Sequence, residues 1–593
     1  MNARAVEGRK AVHLPPVPAA IHNEDVANVF DSIADLLAVR QDNAFRIRAY
    51  RNAARVIRGL GSEVSEMIST GKDLDELPGV GKDLAAQIRE IVSTGTSSRL
   101  KKIEKSTPAT LGELLRIPSL GPKRVSRLYH ELGIRNVQEL EQAVRDGKLQ
   151  SLKGFGEKMQ ERILDVLQAQ RVKKPRMLHD RAGRYVASLL ESLRHVPGTE
   201  EVVLAGSYRR GRETVGDIDM LASASRPLQL MDAFIHHADV SEVLAQGPAR
   251  ATVLLHNGLQ VDLRVIDKES FGAALLYFTG SKAHNIELRR RAKNRGLKIN
   301  EYGVFRGKQR VAGETETSVY QALGLPFIPS ELREMQGEFA AAEKKALPVL
   351  VERASLRGDL HAHTDATDGQ ATLAQMAQAA QTLGFEYLGI TDHSMHTRIA
   401  HGLDGKHLLR EMEAIDKLNA SLQKFTILKG IEVDILEDGS LDMPDDVLRQ
   451  LDFVIGAVHS NFGLSREKQT ARLLRAMDHP YFSILAHPTG RLLGEREPYA
   501  VDIERVIHAA HQRGCFIELN SQPQRLDLQD NYCRVARDAG VLIAISSDAH
   551  GTSDFSFLDF GVVQARRGWL GAKDVLNTRP LAQLRKLLKA TFS

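Results

Sequence analysis

The stretch that decides the fold of this chain lies at residues 206–220 and reads GSYRRGRETVGDIDM. Residues 201–205 before it are apolar and β-prone, so the chain is predicted to leave a strand at Gly206 and Ser207 and to turn there. Such a turn leaves backbone N–H groups free to bind phosphate oxygens. Arg209 and Arg210 add positive charge beside it. The pattern indicates a site for a phosphorylated substrate.

Two aspartates stand near the end of this stretch. Asp217 and Asp219 are separated by one residue, and alternate residues of a strand share one face, so both carboxylates point at one spot. Residues 261–265 form another alternating strand, from which Asp262 is predicted to face the same spot. Three such oxygen ligands suit two Mg²⁺ ions about 3.5–4 Å apart that bridge to substrate phosphates. A lone Asp-x-Asp is more often a solvated strand or turn, and the neighbouring glycines and arginines weigh against that interpretation.

Position by position, this stretch resembles the palm signature of the family X DNA polymerases, within the wider nucleotidyltransferase superfamily. The resemblance implies template-directed transfer of a nucleotide to a primer 3′-OH with two Mg²⁺ ions. It also implies that Asp217 and Asp219 bind both ions and that Asp262 binds the catalytic one. The residues that it assigns to the triphosphate are Ser207, Arg210 and Gly216.

A second block that resembles the same family covers residues 277–285 and reads YFTGSKAHN. Here the family packs an aromatic pair against the sugar of the incoming nucleotide. By that match, Asn285 contacts the minor-groove edge and Arg289 reaches the template strand. A buried aromatic pair followed by a solvated basic helix would explain the same residues without a functional role. The residues that the resemblance assigns to the dNTP are Tyr277, Phe278, Gly280, Lys282 and Asn285.

Residues 77–85 read LPGVGKDLA, a pattern typical of the helix-hairpin-helix turn. Its glycines permit a tight turn whose amides, with the following helix N-terminus, hold a DNA phosphate without reading sequence. The pattern recurs at residues 152–158 and, more loosely, at residues 117–123. A single Gly-x-Gly is common in plain loops, so the threefold repeat carries the prediction. The residues predicted to contact DNA in these turns are Gly79, Val80, Gly81, Gly121, Gly154 and Gly156.

This N-terminal part resembles the small gap-binding domain of family X polymerases, which in some members removes a 5′-deoxyribose phosphate through a Schiff-base lysine. Gln87 occupies that lysine position, and an amide cannot form an imine. We therefore expect little or no lyase activity by that route, with Lys82 nearby as a weaker substitute. The partners implied by the resemblance are gapped or nicked duplex DNA and dNTPs.

More than half of the 21 histidines lie beyond residue 350, and they recur at the ends of segments predicted to be strands. The segment DLHAH at 359–363 places two imidazoles on one strand face, and further apolar segments end in His, Asp or Glu with helical sequence between them. This alternation of strands and helices is typical of a (β/α) barrel, in which the strand C-terminal ends converge on one site. A single histidine is more often structural, but this set is hard to obtain by chance. The predicted ligands are His361, His363, Asp368, His393, Glu432, His459, His487, Asp548 and His550.

The order and spacing of these ligands resemble the PHP (polymerase and histidinol phosphatase) domain, a distorted barrel that holds up to three ions. Nine ligands exceed the needs of one ion, so two or three ions are expected. Imidazole with carboxylate suits Mn²⁺, Zn²⁺ or Fe without choosing among them. The resemblance implies metal-dependent hydrolysis of phosphate esters. For this chain it implies 3′→5′ exonuclease activity, with 3′-phosphatase or abasic-site endonuclease activity beside it.

The whole chain has the composition of an ordinary globular protein with several domains. Of its 593 residues, 42% are hydrophobic and 26% are charged, and one hydrophobic core rarely supports that length. With two cysteines and no apolar run as long as a membrane span, we expect a cytoplasmic protein that does not enter a membrane. Residues 1–350 carry an excess of Lys and Arg, whereas residues 351–593 are acidic overall. A basic front half favours a polyanionic partner, although solvated helix faces would explain part of the excess.

The chain is thus identified as a member of the bacterial-type family X DNA polymerases with a C-terminal PHP domain. The resemblance implies a gap-filling polymerase of base excision repair, and we expect a nucleoid-associated monomer. Two other functions stay open. One is a small-molecule phosphatase of the PHP type, which leaves the basic front half unexplained. The other is a DNA-binding repair scaffold with a silent polymerase site, against which the intact aspartate triad argues.

The expected fold class is multidomain. It combines a helical helix-hairpin-helix front, an α+β nucleotidyltransferase palm with fingers- and thumb-like subdomains, and a distorted (β/α) PHP barrel at the end. The expected domains are a gap- and DNA-binding domain at 1–100, a polymerase core at 101–330, a linker at 331–354 and the PHP domain at 355–593. Within the core we expect a helix-hairpin-helix region at 101–175, the palm at 176–265 and a dNTP-selecting subdomain at 266–330.

Overall fold

The computed structural model describes a helical front, a mixed α/β middle and a parallel barrel at the end, which is the predicted fold class. No helix in the part described is long and apolar enough to cross a membrane. The described residues are 21, 23–58, 64–77, 79–115, 117, 120–152, 155–156, 159–160, 163–164, 167, 176–397 and 400–592.

The front of the chain is a bundle of short helices. Its first two helices are amphipathic, and Phe30, Ile33 and Leu36 from the predicted apolar stripe lie in the bundle core. The ring of Phe30 packs edge-on against Tyr50, with 5.4 Å between ring centroids. The helices are α1 (Asn23–Val39), α2 (Ala44–Arg58), α3 (Val64–Ser69), α4 (Lys82–Thr94), α5 (Ser98–Glu104), α6 (Leu111–Leu115), α7 (Pro122–Leu132) and α8 (Val137–Arg145).

The palm follows as a twisted sheet covered by helices. Its strands are β1 (Met177–Leu178), β2 (Thr199–Leu204), β3 (Thr214–Val215), β4 (Asp217–Ala224), β5 (Val240–Gln246), β6 (Arg250–Leu255) and β7 (Gln260–Val265). The main sheet has the order β2-β4-β7-β6-β5, and β1 pairs with β3. Only the pairing of β4 with β7 is parallel within these described strands. The helices are α9 (His179–Arg194), α10 (Gly206–Arg209) and α11 (Pro227–Ile235).

A smaller α/β unit comes next and includes most of the segment predicted to be a linker. Residues 331–354 do not extend away from it, because Arg333, Glu338 and Phe339 are buried in it. The Ala- and Glu-rich composition suggested a solvated spacer, but the charged side chains find partners distant in sequence. The elements are α12 (Phe271–Thr279), α13 (Lys282–Asn294), β8 (Lys298–Asn300), β9 (Gly303–Arg306), β10 (Gln309–Ala312), α14 (Glu316–Ala322) and α15 (Glu338–Glu343).

Residues 358–397 and 400–592 form a barrel of parallel strands split into two sheets. One sheet holds β11 (Gly358–Asp359), β12 (Tyr387–Ile390) and β13 (Thr426–Lys429). The other holds β14 (Glu432–Asp434), β15 (Ile455–Ala457), β16 (Ile484–Leu485), β17 (Phe516–Asn520) and β18 (Ile543–Ser546). Single parallel bridges, Ala362 to Ala549 and His393 to Glu432, join the sheets at their two seams.

Helices alternate with these strands, as the sequence predicted, except between β13 and β14, which only two residues separate. They are α16 (Leu373–Thr382), α17 (Gly405–Asn419), α18 (Asp445–Leu448), α19 (Arg466–Met477), α20 (Ile503–Arg513), α21 (Asp530–Asp538), α22 (Leu558–Arg567) and α23 (Leu581–Lys589). Because every strand runs in the same direction, the residues that follow the strands meet at one end of the barrel.

Buried ion pairs join the palm to the unit that follows it. Arg209 of α10 donates to Glu316 at 2.7 and 2.8 Å, and Arg333 donates to the same carboxylate. Burial alone would raise the pKa of Glu316, but the two guanidinium groups outweigh it and lower that pKa to about 2. Arg209 was expected to place its charge beside a phosphate, and here its charge is offset by Glu316 instead.

The barrel is attached to the palm through the loop that precedes β3. Glu213 accepts hydrogen bonds from Arg491 and from Gln564 of α22, each at 2.6 Å. Arg567, also on α22, donates to the carbonyl of Arg210 at 2.8 Å. Arg491 and Arg567 are almost fully buried, so this interface is a fixed part of the fold.

Glu316→Gln is expected to lower the free energy of unfolding by about 3 kcal/mol at pH 7. The pKa of Glu316 is depressed in the folded protein, so its contribution is present above its ordinary pKa of 4.5 and is lost as the pH falls toward 2. The loss of unfolding free energy caused by Glu316→Gln is therefore expected to fall below half of its pH 7 value by about pH 3. Urea unfolding of both proteins at pH 7 and at pH 3 measures this loss.

The matched control for this experiment is Glu314→Gln, which removes an exposed carboxylate two residues away. Its pair with Arg310 is exposed, so we expect a change within about 0.5 kcal/mol. Equal destabilisation by the two variants, or a difference that does not change with pH, would contradict the role given to Glu316.

Candidate metal centres

The three aspartates predicted from the sequence meet at the edge where β4 and β7 begin. Asp219 lies directly opposite Asp262 in the parallel pairing of these strands, and Asp217 precedes it on the same face of β4. Gly206 begins α10 against this cluster in a left-handed conformation, with φ +60°. A Cβ on Gly206 would lie 2.2 Å from Oδ2 of Asp219, so only glycine fits beside that carboxylate.

The electrostatics of this cluster favour a bound cation. Burial, together with the charges of Asp217 and Asp262, raises the pKa of Asp219 to about 6. Burial would also raise the pKa of Asp262, but hydrogen bonds outweigh it and hold that pKa below its usual range. The donors to Asp262 are Thr252 at 2.6 Å, Gln260 at 2.8 Å and Arg250 at 3.1 Å. Carboxylates that crowd one another in this way are ligands for hard divalent ions.

The residues assigned to the triphosphate lie beside the aspartates. Ser207 is in the first turn of α10, whose leading N–H groups lack helical acceptors, and half-buried Gly216 directly precedes Asp217. Arg210 donates to Glu334 at 2.9 Å and to the carbonyl of Thr279 at 2.8 Å. Its guanidinium is therefore already paired, and a phosphate would have to compete with Glu334 for it.

The aromatic pair at Tyr277 and Phe278 is half-buried at the end of α12, with ring centroids 5.0 Å apart in an edge-on arrangement. Asn285 donates to the carbonyl of Tyr277 at 2.7 Å, which holds α13 against the pair. Arg289 lies over Tyr277 at 5.1 Å, and Arg264 lies over Phe278 at 4.4 Å. The pair thus lies between a small apolar cluster, against which Phe278 packs, and two guanidinium groups.

Two other assigned residues occupy the start of α13. Gly280 faces Asn285 so closely that a Cβ there would lie 2.7 Å from Oδ1 of that amide. Lys282 is exposed in the first turn of the helix, so its ammonium group is free to reach solvent or a ligand. Both residues follow the aromatic pair closely in the chain, and their roles toward the nucleotide stay predictions.

The three helix-hairpin-helix turns share one geometry over the residues described. In each, a backbone N–H donates to the carbonyl three residues earlier, and the carbonyl of the next residue, a glycine, accepts from the N–H groups three and four residues further on. The donors and acceptors are Val80 and Leu77, Leu120 and Ile117, and Phe155 and Leu152, at 2.9, 3.0 and 3.1 Å. The glycines are Gly81, Gly121 and Gly156, while Gly79 has φ +73° and Gly154 lies outside the described residues.

All nine residues predicted as ligands in the C-terminal part lie together at the carboxyl end of the barrel strands. Three overlapping groups have ligand atoms within 4.8 Å of one another. His487 joins them through Nε2, which lies 2.9 Å from Oε1 of Glu432. The groups are His363, Asp368, His393 and His550; His361, His363 and Asp548; and His393, Glu432 and His459.

Several atoms of this cluster are buried without a hydrogen bond among the described residues. They include Nε2 of His361, Oε2 of Glu432 and Oδ1 of Asp368. Buried polar atoms are normally paired, and unpaired ligand atoms that face one another fit a bound metal ion. Two of the ligands, His487 and Asp548, also have positive φ angles of 26° and 53°. Such strain in residues other than glycine is typical of functional sites.

When no metal is bound, protonated imidazoles balance the negative charge of the carboxylates in the cluster. Burial disfavours charge on His459, but Glu432 and Asp434 outweigh it and raise the pKa of His459 to about 10. Burial opposes charge on His550 in the same way, and Asp368 raises the pKa of His550 to about 10. A divalent cation would displace these protons and offset the same carboxylates.

Residues that sequence reasoning did not single out hold the ligands in place. Glu518 of β17 accepts from Nδ1 of His361 at 2.7 Å and from the backbone of His487 at 2.7 Å. Asp434 lies 2.9 Å from Nδ1 of His459, and Asn520 donates to Asp548 at 2.9 Å. These contacts fix the orientation of the imidazoles. Asp434 ends β14, so the strand-end pattern contained a signal for it, whereas Glu518 lies in the middle of β17 and gave none.

Comparisons with known families divide the chain in the same way. The family described as the PHP domain matches residues 359–522, and the DNA polymerase beta thumb matches residues 274–334. The front matches a helix-hairpin-helix domain over residues 21–97 and a SAM-like helix-hairpin-helix tandem over residues 111–169.

Similar proteins fall into two groups. The chain is 36% identical over 576 residues to the DNA polymerase/3′-5′ exonuclease PolX of Bacillus subtilis, across 96% of this chain and 100% of that protein. It is 30% identical over 242 residues to a probable phosphatase of Thermoanaerobacter sp., across 39% of this chain and 94% of that protein. A probable phosphatase of Acetivibrio thermocellus is 32% identical over 201 residues, across 32% of this chain.

Gly206→Ala is expected to weaken Mn²⁺ binding at the aspartates of β4 and β7 by at least about tenfold, because the new Cβ displaces the carboxylate of Asp219. Calorimetric titration in the presence of a dNTP measures the affinity. Gly258→Ala is the matched control, since Gly258 also has a positive φ, +81°, but no atom lies within 4 Å of the added Cβ. Equal affinity in the two variants would refute the close approach at Gly206.

Proposed function

We propose that this chain, which belongs to the family X DNA polymerases that carry a C-terminal PHP domain, fills gaps in duplex DNA during base excision repair. It is a DNA polymerase and a metal-dependent 3′→5′ exonuclease. The observation that carries the proposal is the presence of two complete carboxylate centres in one chain, on β4 and β7 of the palm and at the strand ends of the barrel.

In the palm, Asp217, Asp219 and Asp262 would hold two Mg²⁺ ions. Such ions stabilise the attacking 3′-oxygen and the leaving pyrophosphate when they are bound. The first turn of α10 supplies N–H groups for the triphosphate through Ser207, and Gly216 allows its close approach. Arg210 would leave Glu334 and pair with a phosphate as the nucleotide binds. This exchange replaces one charge-assisted hydrogen bond with another.

On the other side of the nucleotide, the half-buried rings of Tyr277 and Phe278 would pack against the sugar. Asn285 is held by the carbonyl of Tyr277 and is close enough to the pair to contact the minor-groove edge of the base. Arg289, exposed on α13, would reach the template strand. Gly280 and Lys282 complete this surface, the first by letting Asn285 approach and the second by adding charge.

In the barrel, the nine ligands would hold two or three ions, for which Mn²⁺, Zn²⁺ and Fe fit the mixture of imidazole and carboxylate. When bound, such ions activate water and polarise the phosphoryl group of a phosphate ester. Glu518 and Asp434 orient His361 and His459 toward them. We propose that abasic-site endonuclease or 3′-phosphatase activity accompanies the exonuclease, because a damaged 3′ end must be removed before extension.

The chain binds DNA, and we propose that it prefers gapped or nicked duplexes. The repeated turns at Gly81, Gly121 and Gly156 would hold the phosphate backbone without reading sequence. We also propose a monomer that is cytoplasmic and associated with the nucleoid. The proposed domains are residues 1–100, the polymerase core 101–330 with residues 331–354 packed against it, and the PHP domain 355–593.

A small-molecule phosphatase is the second candidate function. The observation that favours it is the similarity of the C-terminal part to probable phosphatases of Thermoanaerobacter and Acetivibrio. Those proteins match at most 39% of this chain, and they leave the palm aspartates and the helix-hairpin-helix turns without a role. The polymerase proposal accounts for both parts.

The central experiment compares wild type with Asp217→Ala and His361→Ala on a duplex with a one-nucleotide gap, a labelled primer, four dNTPs and Mg²⁺ or Mn²⁺. Asp217→Ala removes a palm ligand, so we expect primer extension to fall by at least about 1,000-fold while 3′ degradation persists. We expect His361→Ala to lose 3′ degradation while primer extension persists. Lys573→Ala, on the barrel surface, is expected to behave as wild type.

Loss of both activities in either variant would contradict two separable centres. If wild type neither extends nor degrades the primer with any metal, the polymerase proposal fails and small phosphate esters become the substrates to test.

Lyase activity is expected to be absent, because Gln87 accepts a hydrogen bond from Tyr50 through an amide that cannot form an imine. Borohydride treatment with a 5′-deoxyribose phosphate substrate should trap no covalent complex. Gln87→Lys places an amine at that position and is the positive test. Trapping by wild type that disappears in Lys82→Ala would contradict this expectation and assign the activity to Lys82.

A further inference from the structure

Arg525 is a cationic side chain at the barrel centre that none of the roles above uses. It lies in the loop after β17, and its Nε is 3.7 Å from Oδ2 of Asp548. Nε of Arg525 is buried and makes no hydrogen bond with any residue the structure describes. The side chain is 21% exposed, so it lies at the mouth of the centre and not in its interior.

Asp548 does not need Arg525 as a partner. Its Oδ2 already accepts a hydrogen bond from Asn520 at 2.9 Å, and its Oδ1 lies 3.2 Å from Nε2 of His363. The separation of 3.7 Å from Arg525 exceeds hydrogen-bond length. The guanidinium is thus held near a ligand carboxylate while its donors stay available.

The loop that carries Arg525 is fixed in place. Arg491 donates through Nε to the carbonyl of Arg525 at 2.9 Å and through Nη2 to the carbonyl of Leu526. Asp527 accepts a hydrogen bond at 2.9 Å from the backbone N–H of Thr489, a residue that lies two positions after the ligand His487. A side chain presented by a rigid loop loses little entropy when it binds a ligand.

A second guanidinium lies close by. Arg496 covers the ring of Phe462 at 4.2 Å, and it donates through Nε to the carbonyl of Gly490. Its loop is joined to that of Arg525, because the backbone N–H of Leu493 donates to the carbonyl of Gln524 at 2.7 Å. Burial, and then the charge of Arg525, lower the pKa of Arg496. Like charges carried by two joined loops, one of them beside a ligand of the centre, favour an anionic ligand near them.

A phosphodiester is the anion that fits this arrangement and the chemistry of the centre. The planar fork of a guanidinium matches two non-bridging phosphate oxygens, and it is most effective where charge develops during the reaction. We propose that Arg525 is a catalytic residue of the exonuclease, which binds the non-bridging oxygens of the phosphodiester that is being cleaved. This inference rests on the exonuclease function proposed above.

The test measures release of nucleotides from the 3′ end of a 5′-labelled single-stranded oligonucleotide with Mn²⁺, using the whole protein. Arg525→Gln is expected to lower kcat/KM by about 100-fold and to weaken inhibition by inorganic phosphate by about tenfold. Arg525→Lys keeps the charge but not the fork, so intermediate values are expected. Added guanidinium ion should partly restore the rate of Arg525→Ala.

Three controls separate this role from a structural one. Arg513→Gln, which removes a guanidinium that pairs with Asp478 on the outside of the barrel, is expected to match wild type. The Mn²⁺ content of Arg525→Gln should equal that of wild type. Primer extension on a gapped duplex should be unchanged in every variant, because Arg525 lies in the barrel and not in the palm.

An unchanged kcat/KM in Arg525→Gln would overturn the proposal. So would a loss of activity that follows loss of bound Mn²⁺, since Arg525 would then act only through Asp548. Failure of the exonuclease proposal itself is a different result, because wild type would then release no nucleotides before any variant is compared.

Discussion

Burial of carboxylates at strand ends is the constraint on which both centres depend. In the palm, the parallel pairing of β4 and β7 forces Asp219 opposite Asp262, and burial with the neighbouring charges raises the pKa of Asp219 to about 6. In the barrel, Glu432 is buried among imidazoles that its own charge helps to protonate. In the palm a divalent ion would offset several carboxylates at once, and in the barrel it would replace the protons that the imidazoles carry.

The same constraint explains why the backbone around the centres is unusual. Gly206 is glycine because the carboxylate of Asp219 occupies the space of a side chain. His487 and Asp548 adopt positive φ angles to point their side chains at the barrel centre. The interface between palm and barrel then keeps these strained parts in register, since Glu213 and Arg491 tie the loop before β3 to the loop that follows β16. Rigid placement of ligands is a general requirement of such sites.

Much of this arrangement was predictable from the sequence, because strand periodicity puts alternate residues on one face and parallel strands end together. That reasoning brought Asp217, Asp219 and the nine barrel ligands to the right strands. The metal-binding and nucleotide-binding roles of these residues stay predictions. The fold class, with its helical front, mixed middle and PHP domain, is confirmed.

Other features depend on contacts that local sequence does not encode. Arg209 and Arg210 are neighbours in sequence, but one pairs with Glu316 and the other with Glu334, because consecutive residues of a helix point in different directions. Residues 331–354 have the composition of a spacer, yet Glu338 is buried against His284. Glu518 is a lone acid in an apolar strand, and only the folded barrel places it beside His361.

Anomalous diffraction at the manganese edge would test the central claim most directly, on crystals of the whole protein grown with gapped DNA, a non-hydrolysable dNTP and Mn²⁺. The account predicts anomalous density in two places, between the aspartates of β4 and β7 and within the cluster around Glu432. Density elsewhere in the protein, with either carboxylate cluster empty, would contradict the claim that both clusters of buried carboxylates bind metal ions.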